Sequence, residues 1–197
     1  KPATRVIQDL RLLLKDQLDL ISIIIPRSAK IITDFGKESL PAFLEETGFR
    51  QVILNLAINA RDAISRNGEI KISVRCVKRG NQMMKDAWGG SRVAQTKGAE
   101  ISLSDNGVGI PDEIAEKLFD PFFTTKDSSS GSGFGLYNSK LFIEDHNGEI
   151  GFSSVVGKRS TFYLFIPLAE EEDGAIENQR NSKRASREFV KRRKGRS

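Results

Sequence analysis

The sequence predicts an α/β fold: a two-layer sandwich in which a mixed, mostly antiparallel sheet packs against about three helices. Two observations predict it. Apolar residues recur at helical spacing in three separated stretches, and they alternate with polar residues at strand spacing in several others. A third, the single cysteine and single histidine among 197 residues, excludes a disulfide framework or a Cys/His metal site as the organising element.

The elements follow in order. Residues 4–20 place Val6, Ile7, Leu10, Leu13, Leu14 and Leu18 on a helical stripe. Pro26 interrupts, 30–34 reads as a short strand, and 41–46 reads as a connector. From Gly48 a second helical pattern carries Val52, Leu56, Ala60 and Ala63 on one face and ends near Asn67-Gly68. Residues 69–77 alternate Ile70, Ile72, Val74 and Cys76 against charged positions, which predicts a half-exposed strand with a buried thiol. Residues 78–98 show no period and read as a surface loop. The short strand 100–104 runs into Asp105-Asn106-Gly107-Val108-Gly109, and Pro111 suits the first turn of a helix. A long Ser/Gly-rich connection, 119–133, precedes a helix over 135–145. The last two strands, 149–156 and 160–167, form a hairpin about Gly157. No internal repeat is present.

Apolar residues make up 38% of the chain and charged residues 29%, ordinary values for one soluble domain with extensions. The longest apolar runs, 20–25 and 52–60, fall far below the roughly 18–20 residues that span a bilayer. Residues 1–15 lack the features of a secretory signal, so a cytoplasmic location is expected. The net charge of +5 owes much to a basic stretch, 180–196, that follows the acidic run 170–173. Opposite charge blocks in a polar tail predict solvation and disorder rather than specific nucleic-acid binding.

Three segments carry chemistry. Asn55 and Asn59 are four apart on one helix face, and an uncharged amide oxygen suits a Mg²⁺ shell otherwise filled by phosphate and water. Asp105 ends a strand and is followed by Gly107 and Gly109. The carboxylate can accept from an exocyclic amine while the glycines admit a flat ring. Gly131, Gly133, Gly135 and Leu136 lead into a helix whose N-terminus favours phosphate. Each alone is also ordinary: surface asparagines, a strand-to-helix turn, a loop.

In this order and spacing the three resemble the N box and the two glycine boxes of the Bergerat ATP-binding fold, which histidine kinases share with DNA gyrase, a heat-shock chaperone ATPase and a mismatch-repair ATPase. The run Leu118-Phe119-Asp120-Pro121-Phe122-Phe123-Thr124-Thr125-Lys126 resembles the F box of histidine kinases. With residues 55–63 it is most similar to the nitrogen-regulation type of sensor kinase. The resemblance spans roughly residues 48–168. It implies ATP and Mg²⁺ as cofactors, Asn59 as metal ligand, and Asn55 supporting it or the phosphates; both asparagines form the catalytic pair. It implies that Asp105 reads the adenine amine and that Gly107 and Gly109 line the base. Phe122, Thr124, Thr125 and Lys126 would belong to a flexible ATP lid, with Gly131, Gly133, Gly135 and Leu136 forming the phosphate-facing loop. Ser160 stands where the family places a Thr or Ser near adenine, while Arg159 departs from the glycine usual before it.

Gyrase-type relatives carry a Glu four residues before the metal-binding Asn as a general base for hydrolysis. Asn55 occupies that position and cannot take a proton, so the resemblance implies transfer of the γ-phosphoryl group to a protein histidine. His146, at a helix end, reads as structural. The acceptor would sit on a helical dimerisation hairpin, separate or missing, with a response regulator downstream and the isolated chain a monomer. The resemblance thus divides the chain into 1–28, a helical linker or trailing part of that hairpin; 29–168, the ATP-binding catalytic domain; and 169–197, a charged tail. A non-catalytic ATP-binding regulator and a serine protein kinase of the anti-sigma type share the same motifs.

Overall fold

Five strands build the main sheet, and a computed structural model describes residues 4–65, 67–85, 91–125 and 133–169. In chain order the elements are β1 (Val6–Asp9), α1 (Leu10–Ile24), β2 (Lys30–Asp34), β3 (Pro41–Leu44), α2 (Glu46–Ala63), β4 (Glu69–Lys85), β5 (Ser91–Asp105), α3 (Asp112–Ala115), α4 (Gly135–Asp145), β6 (Glu149–Val155) and β7 (Arg159–Pro167). The main sheet has the order β2-β4-β5-β7-β6, with β2 parallel to β4 and every other neighbour antiparallel. This is the mixed, mostly antiparallel two-layer sandwich the sequence predicts.

Strand alternation sets the core. Register aligns Ile72 with Leu103 and Phe162, and Val74 with Ile101 and Leu164, so whole cross-strand rows are apolar on the helix side. All six are buried in one cluster with Leu10, Leu14 and Ile21 of α1 and Phe49, Ile53 and Leu56 of α2. The opposite face carries hydroxyl and charged residues, among them Ser73 and Ser102, whose Oγ atoms lie 2.7 Å apart.

Before β2, β1 pairs with β3, Val6 opposite Leu44, and α1 contributes Leu10, Leu13, Leu14 and Ile21 to the shared core. Three expectations need correction. The helix begins at Leu10 rather than residue 4, because the Asp9 carboxylate accepts from Arg11 N–H at 2.9 Å and caps it. Residues 41–46 hold β3 and the cap of α2 rather than a bare connector. Residues 78–85 and 91–98, expected as part of a loop, form a long antiparallel ribbon, in which Val77 pairs with Gly98 and Lys85 with Ser91 around an irregularity at Gly80/Gln82. The ribbon runs past the strands that flank it, which pair with residues 69–73 and 98–105, so no neighbouring strand imposes an alternation on it.

The domain closes on itself at its last described residues. Leu168 N–H donates to Lys97 O at 3.0 Å and Ala169 N–H to Pro41 O at 2.8 Å. Residues 170–197, the expected charged tail, fall outside the described part. Among the described residues no helix is long and apolar enough to cross a membrane.

Candidate nucleotide site

The alternation Ala99, Ile101, Leu103 continues to Asp105, so a carboxylate lands on the helix-facing side of the sheet, only 3% exposed. Its row mates are Ile70 on β4, Ser160 on β7 and Ser154 on β6, so the row that is apolar elsewhere turns polar at this end of the sheet. Burial raises the Asp105 carboxyl above the ordinary aspartate value, and backbone N–H groups of Gly107, Ser160 and Asp105 itself oppose that rise. One of these bonds, Gly107 N–H to Asp105 Oδ1, measures 2.9 Å.

The glycine loop after β5 is held from two sides. Val108 N–H donates to Ala63 O at the end of α2 (3.1 Å), and Val108 O accepts from Gly157 N–H in the β6–β7 turn (2.7 Å). A Cβ on Gly107 would lie 2.4 Å from Ala63 O, and one on Gly109, at φ +75°, would lie 2.6 Å from Val155 O. Both glycines are therefore fixed by close backbone approach as well as by any ring they would admit. Ser154, which sequence reasoning missed, anchors the same loop: its Oγ accepts from Ile110 N–H at 2.7 Å and donates to Arg159 O at 3.0 Å. The strand alternation that turns Phe152 inward was the available signal for it. Ser160 is buried, its Oγ 3.3 Å from that of Ser154.

On α2, Asn55, Asn59 and Ala63 follow at four-residue spacing along one face. Ala63 meets the first glycine loop, and Asn55 meets the second: its Nδ2 donates to Gly135 O at 3.2 Å and to Ser139 Oγ at 3.3 Å. The Asn55 Oδ1 accepts from Gln51 Nε2 at 2.9 Å. Half-buried Asn59 thus lies on the helix between the two loops. Asn55 itself ties α2 to α4 through its Nδ2, while its Oδ1 is held within α2.

The segment after α3 returns upon itself. Phe122, at φ +67° and 71% exposed, sets its ring 4.7 Å from that of Phe134 in an edge-on contact. Gly133, at φ +70°, would bring a Cβ within 2.4 Å of Phe122 C. The two ends of the expected lid therefore meet at a narrow neck, with Thr124 and Thr125 exposed beside it. Lys126 and Gly131 lie outside the described residues. Gly135 opens α4, which has no side-chain cap, and an uncapped N-terminus offers N–H donors to an anion. Leu136 is half-buried against the core, so its packing role is evident beside its place in the motif.

His146 caps the other end of α4 and is 7% exposed. Its Nδ1 lies 2.7 Å from Phe142 O, and its Nε2 accepts from Glu45 N–H at 3.3 Å. Both ring nitrogens are occupied, which agrees with a structural histidine.

These parts fit a nucleotide: a buried acceptor for an amine, an amide beside two loops, and a helix N-terminus without a side-chain cap for phosphate. A separate cavity of about 560 Å³ lies on the far face of the sheet, bordered by Lys37, Lys71, Arg75, Glu100 and Tyr163. It contains none of the motif residues.

Residues 44–170 match the family described as histidine kinase-, DNA gyrase B-, and HSP90-like ATPase. The chain is 33% identical over 172 residues to the sensor kinase CckA of Brucella abortus, covering 87% of this chain and 17% of that protein. It is 37% identical over 137 residues to the signal transduction histidine-protein kinase AtoS of Escherichia coli, covering 70% and 19%. With the sensory histidine kinase/phosphatase NtrB of Vibrio alginolyticus it shares 31% over 171 residues, 85% and 45% of the two chains. The chain thus spans less than half the length of these curated relatives. Among solved structures, the catalytic domain of histidine kinase ThkA superposes with a TM-score of 0.61 at 26% identity, over 83% of this chain and 95% of that one. Full-length ShkA in complex with AMPPNP gives 0.64 at 18% identity, covering 86% and 32%, a likeness of fold alone.

Proposed function

This chain belongs to the histidine kinase-, DNA gyrase B- and HSP90-like ATPase family, and from that premise we propose that it binds Mg-ATP and passes the γ-phosphoryl group to a histidine on a helical hairpin outside the described fold. The observation that carries the proposal is Asp105, a carboxylate buried on the apolar side of the sheet at the mouth of two glycine loops. A charge there is costly unless a ligand donor meets it, and an adenine amine is such a donor.

Asn59 offers its amide oxygen to Mg²⁺. Such an ion would take its other ligands from phosphate and water. Bound together, the ion and nucleotide supply charge neutralisation and the transferable phosphoryl group. The protein's own part is positioning. Asp105, Gly107 and Gly109 fix the base, Ser160 and Ser154 form the polar floor beside it, and the N-terminus of α4 faces the phosphates. By the family resemblance, Thr124, Thr125 and Lys126 would contribute from the lid.

Two features support transfer rather than hydrolysis. Asn55 cannot serve as a base for water, and its amide is engaged with Gln51, Gly135 and Ser139. His146 is buried and bonded through both nitrogens, so the acceptor comes from elsewhere in a longer chain or from a partner, and a response regulator would receive the group next. On this reading residues 4–169 form the catalytic unit, monomeric by itself and working in the cytoplasm.

Titration calorimetry with Mg-ATP tests the binding step. Wild type is expected to bind, and Asn59→Ala to lose the magnesium dependence of affinity. A wild-type chain that fails to bind overturns the proposal. The acceptor is tested by adding a histidine-bearing hairpin: acid-labile phosphate supports histidine transfer, and acid-stable phosphoserine on a partner overturns it.

A further inference from the structure

We infer that His146 is a positioning residue: it pins the first turn of α2 to the last turn of α4, and the two helices carry that constraint to the nucleotide loop at Gly135. The functional half of this inference rests on the ATP-site reading above; the mechanical half does not.

The partners of the imidazole dictate its state. Phe142 O can only accept, so Nδ1 carries the proton; Glu45 N–H can only donate, so Nε2 presents its lone pair. These two partners select the Nδ1-protonated tautomer. Glu45 is the N-cap of α2, and its carboxylate already accepts from Thr47 N–H (2.8 Å) and Gly48 N–H (2.5 Å). His146 satisfies the N–H of the cap residue itself, which that carboxylate leaves to another acceptor. An apolar contact reinforces the bond. The His146 ring lies 4.2 Å from that of Phe142, and Phe142 fills the space beside Gly48, where a Cβ would come within 2.2 Å of its ring.

The second pin is Asn55 on Gly135 and Ser139. Along α2 the two pins, residues 45 and 55, are roughly 15 Å apart at helical rise. Along α4 they lie at its opposite ends, so the helices run antiparallel and are fastened at both. One pin would leave α4 free to pivot; two fix its tilt and its axial position together. Gly135, the first residue of α4, follows directly on the neck at Gly133 and Phe134, so any pivot about Asn55 moves the loop that would face phosphate.

The chain contains a single histidine, so its imidazole can be observed without ambiguity. A long-range ¹H–¹⁵N correlation on the nucleotide-free wild type is expected to show the Nδ1-protonated tautomer; the Nε2-protonated tautomer overturns the pin. Two variants then separate positioning from simple packing. His146→Gln keeps an acceptor and a donor on one side chain, whereas His146→Phe keeps the stack and removes both bonds. His146→Phe is expected to shift the Asn55 side-chain amide signals and to weaken Mg-ATP binding about tenfold, with His146→Gln recovering most of both. Should His146→Phe disturb only the Glu45 amide and the melting temperature, with Asn55 and affinity as in wild type, the inference fails. A wild type that does not bind Mg-ATP overturns the nucleotide reading, while a displaced Asn55 signal in His146→Phe still supports the two-pin link.

Discussion

At Asp105 a functional demand and a stability demand oppose each other. Burial raises its carboxyl, so the folded state holds the proton more tightly than the unfolded chain does. The stability this group contributes is present below the ordinary aspartate value and is lost as pH rises through the raised one. At neutral pH the ionised carboxylate therefore burdens the empty protein. Asp105→Asn is expected to raise the melting temperature of the nucleotide-free chain while weakening ATP binding by about 10–100-fold, the cost of a charged hydrogen bond. Calorimetry and thermal melting on the same samples check both signs. Gly107 behaves differently, because its constraint is steric. Gly107→Ala would press a Cβ onto Ala63 O, and urea titration should register a loss of about 1–3 kcal/mol.

The helix starts give the clearest predictions at the scale of elements. Asp9 caps α1 and also accepts from Ser39 Oγ at 2.8 Å and Leu40 N–H at 3.3 Å, tying β1, α1 and the loop before β3 together. Burial alone would raise its carboxyl, but the bonds from Ser39, Leu40, Arg11 and Leu12 outweigh it and hold it below the ordinary value. Its contribution is therefore present above that value and lost as pH falls through the depressed one. Asp9→Ala is expected to cost about 1–2 kcal/mol at neutral pH, and a comparison of urea midpoints should show that difference shrinking in acid. The β4–β5 ribbon invites the opposite expectation. Its outer part, residues 78–85 with 91–97, pairs with itself, while the core rows lie within 70–76 and 99–105. Replacing that outer part with a tight turn should leave nucleotide affinity within about twofold of wild type.

Across the whole molecule, one core joins the N-terminal helix, the sheet and the motif-bearing helix, so the site sits on packed elements rather than on a loop scaffold. Asp105 ends a central strand, Asn59 rides a helix whose other face is buried, the first glycine loop is anchored by backbone hydrogen bonds, and Gly135 is held by the Asn55 side chain. Removing residues 179–197 should accordingly leave Mg-ATP affinity unchanged, as read by titration against the full chain. Much of this plan is legible in the sequence: the alternation of 69–77 and 160–167, the stripe of α2, and the four ordered motifs. The short β1–β3 ladder is not, because four-residue strands paired across some 35 positions leave too little periodicity to detect. The start of α2 is hidden as well, since glutamate is an uncommon cap.

The sequence by itself determined which chemistry is present. Two amides a helical turn apart, a carboxylate before two glycines, and a glycine run before a helix are local patterns, and local geometry follows from spacing. Only the tertiary structure decided how those groups are used. Asn55 and His146 find their partners 80 and 101 residues away, at Gly135 and Glu45. Which atom meets an amide or an imidazole is fixed by packing between distant elements, and no spacing within the chain encodes it.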